Sequence, residues 1–140
     1  ARALRASVLR HPPGHIQRTT AYFLSLGHYD AMIKRLVAAF RERRVVMENA
    51  INQNGLEIAG KGAHGGSSFW MRAPKGSDTR HLAKALRSSS TFIEPGRPFF
   101  GGQFRPTHYY RIAYSSISVD LIEAGICQIA RAIKEKNGYK

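Results

Sequence analysis

Arg111 is the residue whose setting in this sequence most clearly indicates chemistry. It lies in the run Tyr109-Tyr110-Arg111-Ile112-Ala113-Tyr114-Ser115, which otherwise has the pattern of a buried β-strand. A buried charge without a partner is costly, so this arginine requires an anion. Its planar guanidinium suits a carboxylate held by two parallel hydrogen bonds. The partner is either the carboxylate of a ligand, such as an amino acid, or an internal Asp or Glu, and the sequence leaves both open.

Aromatic side chains flank this arginine along the chain. A rigid turn, Glu94-Pro95-Gly96, precedes them. Clustered aromatics are usually core or interface residues, and we predict that role for most of them. The functional alternative is that one or two form the wall of a small-molecule pocket. The residues concerned are Phe99, Phe100, Phe104, Tyr109 and Tyr110.

Other motifs point to no further chemistry. The spacing Gly60-x-Gly62-x-x-Gly65 matches a dinucleotide-binding fingerprint, but that fingerprint must open a helix, whereas residues 66–71 favour a strand. A flexible hairpin connection is the better interpretation. The six histidines have no metal-site spacing. No Gly-x-Ser-x-Gly elbow is present, so a hydrolase triad has no support.

The net charge of +13 on 140 residues raises the possibility of a nucleic-acid partner. The charge is spread along the chain: residues 1–54 hold nine Lys and Arg against three acids, and residues 55–140 hold thirteen against six. A solvated or subunit-facing surface is therefore the first interpretation. A basic nucleic-acid-binding module remains an alternative, and it predicts tight, salt-sensitive binding by this chain alone.

The elements that must position these residues follow from periodicity and caps. At 140 residues the chain is long enough for one domain with a real core, and its hydrophobic content of 43% is that of a globular protein. We predict an α+β two-layer domain, with a mixed or antiparallel sheet, helices on one face and linker helices before it. The predicted helices cover residues 1–10, 15–26, 30–53, 79–86 and 118–137, with Gly27, Asp30, Asp78, Ser118 and Gly138 as end signals. The predicted strands cover residues 56–58, 68–71, 91–93 and 109–115.

The single cysteine and the absence of apolar runs bear on the cellular setting. Cys127 lies in an amphipathic helix and has no partner for an internal disulfide, which fits a reduced, cytoplasmic location. No apolar stretch has the length of a membrane span, and no signal peptide is visible. The chain starts at Ala1, within a helical pattern, so we expect a fragment or a processed product.

Six blocks of sequence, in order, resemble the C-terminal part of a fold-type-I, pyridoxal-phosphate-dependent aminotransferase. The resemblance is closest to the aminotransferase-like domain of MocR/GabR-type regulators of the GntR family, and it covers nearly the whole chain. The blocks are residues 15–18, 23–30, 40–44, 65–71, 93–100 and 110–117.

The resemblance implies a role for Arg111 as the residue that holds the α-carboxylate of an amino-acid substrate or effector. It also implies linker helices in residues 1–29 and a C-terminal small domain in residues 30–140. Pyridoxal 5'-phosphate is expected in the full-length parent, and none is expected on this fragment, because the Schiff-base lysine and the aspartate that pairs with the pyridine nitrogen would lie upstream. The seven lysines do not follow the pattern of that lysine: Lys34, Lys61, Lys75, Lys84, Lys134, Lys136 and Lys140.

The expected function is therefore that of a fragment of a regulator's effector domain, without catalytic residues of its own. The expected partners are an amino-acid or amine ligand with a carboxylate, the missing large domain and a second copy. DNA would be bound only through an absent N-terminal domain, and no membrane contact is expected. The alternative within the same fold is a catalytic class I/II aminotransferase, which residues of this chain do not separate from a regulator.

Overall fold

The computed structural model describes residues 13–60 and 66–137. The helix predicted for residues 1–10, most of the glycine-rich connection and the stop signal at Gly138 lie outside the described residues. The chain divides into two compact units, and the boundary falls between Ala39 and Phe40.

The first unit is helical. Helix α1 covers Gly14–Ser25, and helix α2, His28–Gln53, begins here and continues into the second unit. Gly27 makes the turn between them with a φ of +73°, a conformation that glycine adopts without steric cost. The predicted cap at Asp30 is wrong, because α2 already begins at His28 and Asp30 lies in its first turn. A carboxylate there still favours the positive end of the helix dipole.

The second unit contains a four-stranded antiparallel sheet. Its strands are β1, Glu57–Ile58; β2, Ser68–Arg72; β3, Glu94–Pro95; and β4, Tyr109–Ala113. Their order across the sheet is β1-β2-β4-β3. Every pair is antiparallel.

The strand predicted at residues 91–93 is wrong, and strand pairing begins only at Glu94. Helix α3, Thr79–Leu86, continues into a 3₁₀-helix, Arg87–Ser89. Ser90 is then left-handed, with a φ of 56°, and the Thr91 N–H donates to the Leu86 carbonyl at 3.1 Å. The N–H of Thr91, the first residue of the predicted strand, is therefore bonded to the end of helix α3 and is not available for strand pairing.

One face of the sheet packs against helices. Phe69 and Met71 of β2 and Tyr110 and Ile112 of β4 point to this side and are all buried. The helices that cover them are α3, helix α4 (Val119–Asn137) and the second half of α2. Their buried contributions are Leu82, Leu86, Ile122, Ile126, Ile129, Met47, Ala50 and Ile51. The predicted α+β fold class is confirmed.

The start of β4 is tied to the N-terminus of α3. The Thr79 side chain is 1% exposed, and its hydroxyl lies 2.8 Å from the Thr107 carbonyl and 3.0 Å from the Tyr109 carbonyl. Asp78 caps α3, as predicted, by accepting from the Arg80 backbone N–H at 2.9 Å. The two Thr79 bonds link the start of β4, the strand that carries Arg111, to the helical layer.

Candidate carboxylate-binding site

The side of the sheet opposite the core carries polar and aromatic side chains, and we call it the open face. Because side chains alternate along a strand, Trp70 and Arg72 of β2 lie here beside Tyr109 and Arg111 of β4. Glu57 is the cross-strand neighbour of Arg72, and Glu94 is that of Arg111, so both carboxylates lie on the same face. The complete set is Glu57, Ser68, Trp70, Arg72, Glu94, Tyr109, Arg111 and Ala113.

Arg111 is half-exposed on this face, so the expectation that its charge is buried is wrong. Its side chain retains 43% of its accessible surface and that of Glu94 retains 49%. The Arg111 Nε donates to Glu94 Oε2 at 2.7 Å, and Nη2 lies 2.5 Å from the same oxygen. The internal ion pair that the sequence left open is thus present, and a half-exposed pair of this kind contributes about 0.2–1 kcal/mol to stability.

An aromatic cluster surrounds the arginine, with Trp70 at its centre. Trp70 stacks on Tyr109 with 6.0 Å between ring centroids. It meets Phe99 edge-on at 5.5 Å and Phe100 at a tilt at 5.9 Å. The guanidinium of Arg111 lies over the Phe99 ring, 5.1 Å from its centroid. Such edge and stacked pairs contribute about 0.5–1.5 kcal/mol each beyond the burial of their surface.

Gly96 joins β3 to this cluster by a close backbone approach. Its N–H donates to the Tyr109 carbonyl at 2.7 Å. A Cβ at this position would lie 2.6 Å from the Tyr109 oxygen and 2.8 Å from the outer edge of the Trp70 ring. Only glycine fits here. The Pro-Gly turn predicted from the sequence therefore lets β3 approach β4 closely, which brings Glu94 and Phe99 to Arg111.

The open face also holds a second arginine–glutamate pair. Arg72 Nη1 lies 2.6 Å from Glu57 Oε1, with side chains 41% and 56% exposed. The Arg72 guanidinium lies over Tyr109, 5.5 Å from the ring centroid. Arg72 and Arg111 therefore have the same two kinds of partner, so the Arg72–Glu57 pair is a natural control for the Arg111–Glu94 pair.

The aromatic residues predicted near Arg111 fall into three groups. Phe99, Phe100 and Tyr109 line the open face, Tyr110 is completely buried in the core, and Phe104 is 81% exposed. Two important residues were missed by sequence reasoning: Trp70, because it is 41 positions away along the chain, and Glu94, whose partner depends on strand register. The one signal in the sequence that could have found Trp70 is the alternation of apolar and polar positions in residues 68–72, which places its side chain opposite the core.

The pKa values of Asp78 and Tyr110 depart from their ordinary values. The Arg80 guanidinium beside Asp78 lowers the pKa of that carboxyl to about 2. Burial raises the pKa of the Tyr110 phenol, whose oxygen has no hydrogen-bond partner in the described part of the chain. Neither group lies on the open face.

No metal site or membrane helix is present in residues 13–60 and 66–137. No group of three or more metal-ligating side chains comes together there. None of the described helices combines the length and apolar character that a membrane crossing requires.

The surroundings of four lysines do not fit a lysine that forms a Schiff base with pyridoxal phosphate. A lysine that forms a Schiff base is usually desolvated or lies beside another cation. Lys34, Lys75, Lys84 and Lys134 are all exposed. No chemical step through that cofactor is therefore assigned to these residues.

The fold is that of part of an aminotransferase. The chain superposes on the α-aminoadipate aminotransferase LysN of Thermus thermophilus with a TM-score of 0.80 and 25% identity, over 99% of this chain and 35% of that one. It also superposes on the aromatic aminotransferase of Pyrococcus horikoshii with a TM-score of 0.75 and 20% identity, over 96% and 35% of the two chains. The predicted resemblance to part of a fold-type-I aminotransferase is confirmed.

In sequence, the chain is similar to a transcriptional regulator. It is 59% identical over 133 residues, 95% of its length, to the HTH-type transcriptional regulator TauR of Rhodobacter capsulatus. It spans 28% of the length of that protein. No family model matches the chain.

Proposed function

We propose that this chain is the small-domain part of an aminotransferase-like effector domain in a transcriptional regulator of the MocR/GabR type. In this proposal Arg111 binds the carboxylate of an amino-acid or amine ligand. The observation that carries it is which nitrogen atoms of the Arg111 guanidinium already have a partner. Glu94 occupies its Nε–Nη2 edge, and Nη1 has no hydrogen bond or ion pair with any described residue.

The open face offers the remaining chemistry that a small carboxylate ligand needs. A second carboxylate at the Nη1–Nη2 edge would form the charge-assisted pair of hydrogen bonds for which arginine is suited. Phe99 and Trp70 beside it supply an apolar wall. A charged hydrogen bond contributes about 1.5–3 kcal/mol.

Residues outside this chain would complete the site. The similarity to a protein about three and a half times as long supports a larger protein around this fragment. In that protein a large domain would hold pyridoxal phosphate, and a separate N-terminal domain would bind DNA. We place it in the cytoplasm, as expected for a regulator that binds DNA.

The regulatory effect would arise from differential binding. A ligand changes an equilibrium only by the difference in its affinity for two states. Contact with Arg111 on the small domain, together with contacts on the large domain, would favour the closed arrangement. DNA binding would then change with domain closure.

A second copy of the chain is also part of the proposal. Large apolar side chains of the helical first unit are exposed, among them Tyr22 at 67%, Leu26 at 53% and Val37 at 61%. Exposed apolar surface on this scale favours association. Sedimentation velocity on this chain is expected to give a dimer or larger species, and a clean monomer at high concentration would remove this part of the proposal.

The alternative is a catalytic aminotransferase, and the solved structures that resemble the chain favour it because they are such enzymes. The discriminating feature is a winged-helix module in the complete gene product. If it is present and purified protein shows no transamination turnover, the regulator is supported. Turnover without such a module would favour the enzyme.

The central test is Arg111→Ala in the full-length protein. Each of the twenty standard amino acids is titrated by calorimetry, and the tightest binder is compared with the amine that lacks its carboxylate. The substitution is expected to weaken amino-acid binding by about thirtyfold, from about 2 kcal/mol of lost charged hydrogen bonding. Binding of the amine and of pyridoxal phosphate should hardly change, and an unchanged amino-acid affinity would refute the role of Arg111.

A further inference from the structure

We propose that Glu94 and Phe99 are positioning residues, which hold the Arg111 guanidinium so that its Nη1–Nη2 edge is presented to an incoming carboxylate. This inference rests on the proposed function, because it assigns two further residues to the same site. Glu94 acts only through Arg111. Phe99 acts on Arg111 and also supplies part of the apolar wall of the proposed site.

The contact of Glu94 is confined to one edge of the guanidinium. An arginine can receive a carboxylate along the Nε–Nη2 edge or along the Nη1–Nη2 edge. Glu94 uses a single oxygen, Oε2, for both Nε at 2.7 Å and Nη2 at 2.5 Å. The carboxylate of Glu94 thus holds the edge nearest the backbone and leaves the outer edge for another anion.

Strand register keeps Glu94 at this edge. Glu94 and Arg111 are direct cross-strand neighbours in the β3–β4 ladder. The next residues, Pro95 and Gly96, are held to β4, since Pro95 pairs with Tyr110 and the Gly96 N–H donates to the Tyr109 carbonyl. The carboxylate is therefore anchored by a backbone that the sheet has already ordered.

Phe99 restricts the tilt of the guanidinium plane. Arg111 lies 5.1 Å from the centroid of the Phe99 ring, within cation–π range. The ring is itself held by the short 3₁₀-helix Arg97–Phe99 and by its edge contact with Trp70. The Phe99 N–H donates to the Gly96 carbonyl at 3.0 Å, which ties this helix to the same glycine.

Two opposite effects of Glu94 on ligand affinity can be separated by substitution. Its negative charge repels a ligand carboxylate and so weakens binding, whereas its hydrogen bonds order a long side chain before the ligand arrives. Glu94→Gln removes the charge and keeps a carbonyl oxygen that accepts from Arg111. Glu94→Ala removes both, so the difference between the two variants isolates the positioning effect.

The test uses the full-length protein and the amino acid, of the twenty standard ones, that binds it most tightly. Glu94→Ala is expected to bind it about fivefold more weakly than Glu94→Gln, which corresponds to about 1 kcal/mol. In high salt, where repulsion between exposed carboxylates is screened, Glu94→Ala should also bind more weakly than the unaltered protein. Phe99→Ala is expected to weaken binding by a similar factor, and Phe99→Tyr, which keeps the ring, to restore it.

The second arginine–glutamate pair provides the matched control. Glu57→Gln and Glu57→Ala remove the same charge from the same face, but beside Arg72, and they should bind the amino acid equally well. Equal affinities of Glu94→Gln and Glu94→Ala would overturn the inference. Equal strengthening by both would show that Glu94 only competes with the ligand and would overturn it as well.

The failure of this inference is distinguishable from the failure of the proposed function. If Arg111→Ala leaves amino-acid binding unchanged, the proposed function is wrong and the positioning role falls with it. If Arg111→Ala abolishes binding while the two Glu94 variants agree, only the positioning role is wrong. Unfolding curves are measured for all variants. A general loss of stability would lower both the free energy of unfolding and the affinity for the amino acid, whereas a loss of positioning lowers the affinity alone.

Discussion

Replacing Gly96 with alanine should destabilise the junction between β3, β4 and the aromatic cluster. The added Cβ would lie 2.6 Å from the Tyr109 carbonyl oxygen, 2.8 Å from the Tyr109 carbonyl carbon and 2.8 Å from Trp70. Two of these atoms belong to the backbone of β4, which strand pairing holds on both sides. The clash therefore cannot be relieved by rotating a side chain alone.

The expected loss has two parts. Forcing an extra methyl group into a packed site costs about 1–3 kcal/mol. If β3 moves away, the 2.7 Å hydrogen bond from the Gly96 N–H to Tyr109 weakens, at a further cost of about 0.5–1.5 kcal/mol. We expect a decrease of about 2–4 kcal/mol in the free energy of unfolding, a large part of the stability of an ordinary domain.

Urea unfolding followed by tryptophan fluorescence measures this directly, because Trp70 is the only tryptophan and lies against Gly96. The matched control is Gly101→Ala, five residues further on, where an added Cβ meets nothing within 4 Å. That variant should stay within about 1 kcal/mol of the unaltered chain. A Gly96→Ala variant as stable as the control, with unchanged Trp70 fluorescence, would refute the close approach described above.

Two further predictions concern stability and pH. Tyr110→Phe removes a buried hydroxyl that has no partner among the described residues, so it should raise the free energy of unfolding by about 1 kcal/mol. Burial raises the pKa of Tyr110, so the native chain should lose stability as the pH rises above about 10, where the unfolded phenol ionises first; alkaline unfolding curves in which Tyr110→Phe loses just as much would contradict this. Asp78→Ala should cost about 1 kcal/mol at neutral pH through loss of the α3 cap, and Asp78→Asn less, because its oxygen still accepts from the Arg80 N–H. Because the pKa of Asp78 is lowered, its contribution to the free energy of unfolding is present above about pH 4 and disappears as the pH falls towards about 2. Urea titrations of Asp78→Ala and the unaltered chain measure this contribution. A difference in stability that persists at the lowest pH would contradict the prediction.

The elements set by local pattern were predictable from the sequence. Residues 68–72 and 109–113 alternate in the way a strand with one buried face must, and both are strands. Asp78 is a cap because a carboxylate two residues before a backbone N–H can reach it without any help from the rest of the fold. The apolar stripe of Ile122, Ile126, Ile129 and Ile133 predicted a helix with one buried side. The first three are buried, and Ile133 is partly buried.

Tertiary structure alone decided the location of β3 and the surroundings of Arg111. A two-residue strand has too little sequence to show a period, so Glu94–Pro95 became a strand only because β4 pairs with it. The same pairing chose Glu94 as the carboxylate for Arg111, and the β2–β4 register placed Trp70 on the arginine's other side. The sequence predicted an anionic partner for Arg111. The identity of the anion, the edge of the guanidinium that it contacts and the face of the sheet all depended on strand pairing. The paired strands lie up to about forty residues apart in the sequence, and their contacts exist only once the sheet has formed.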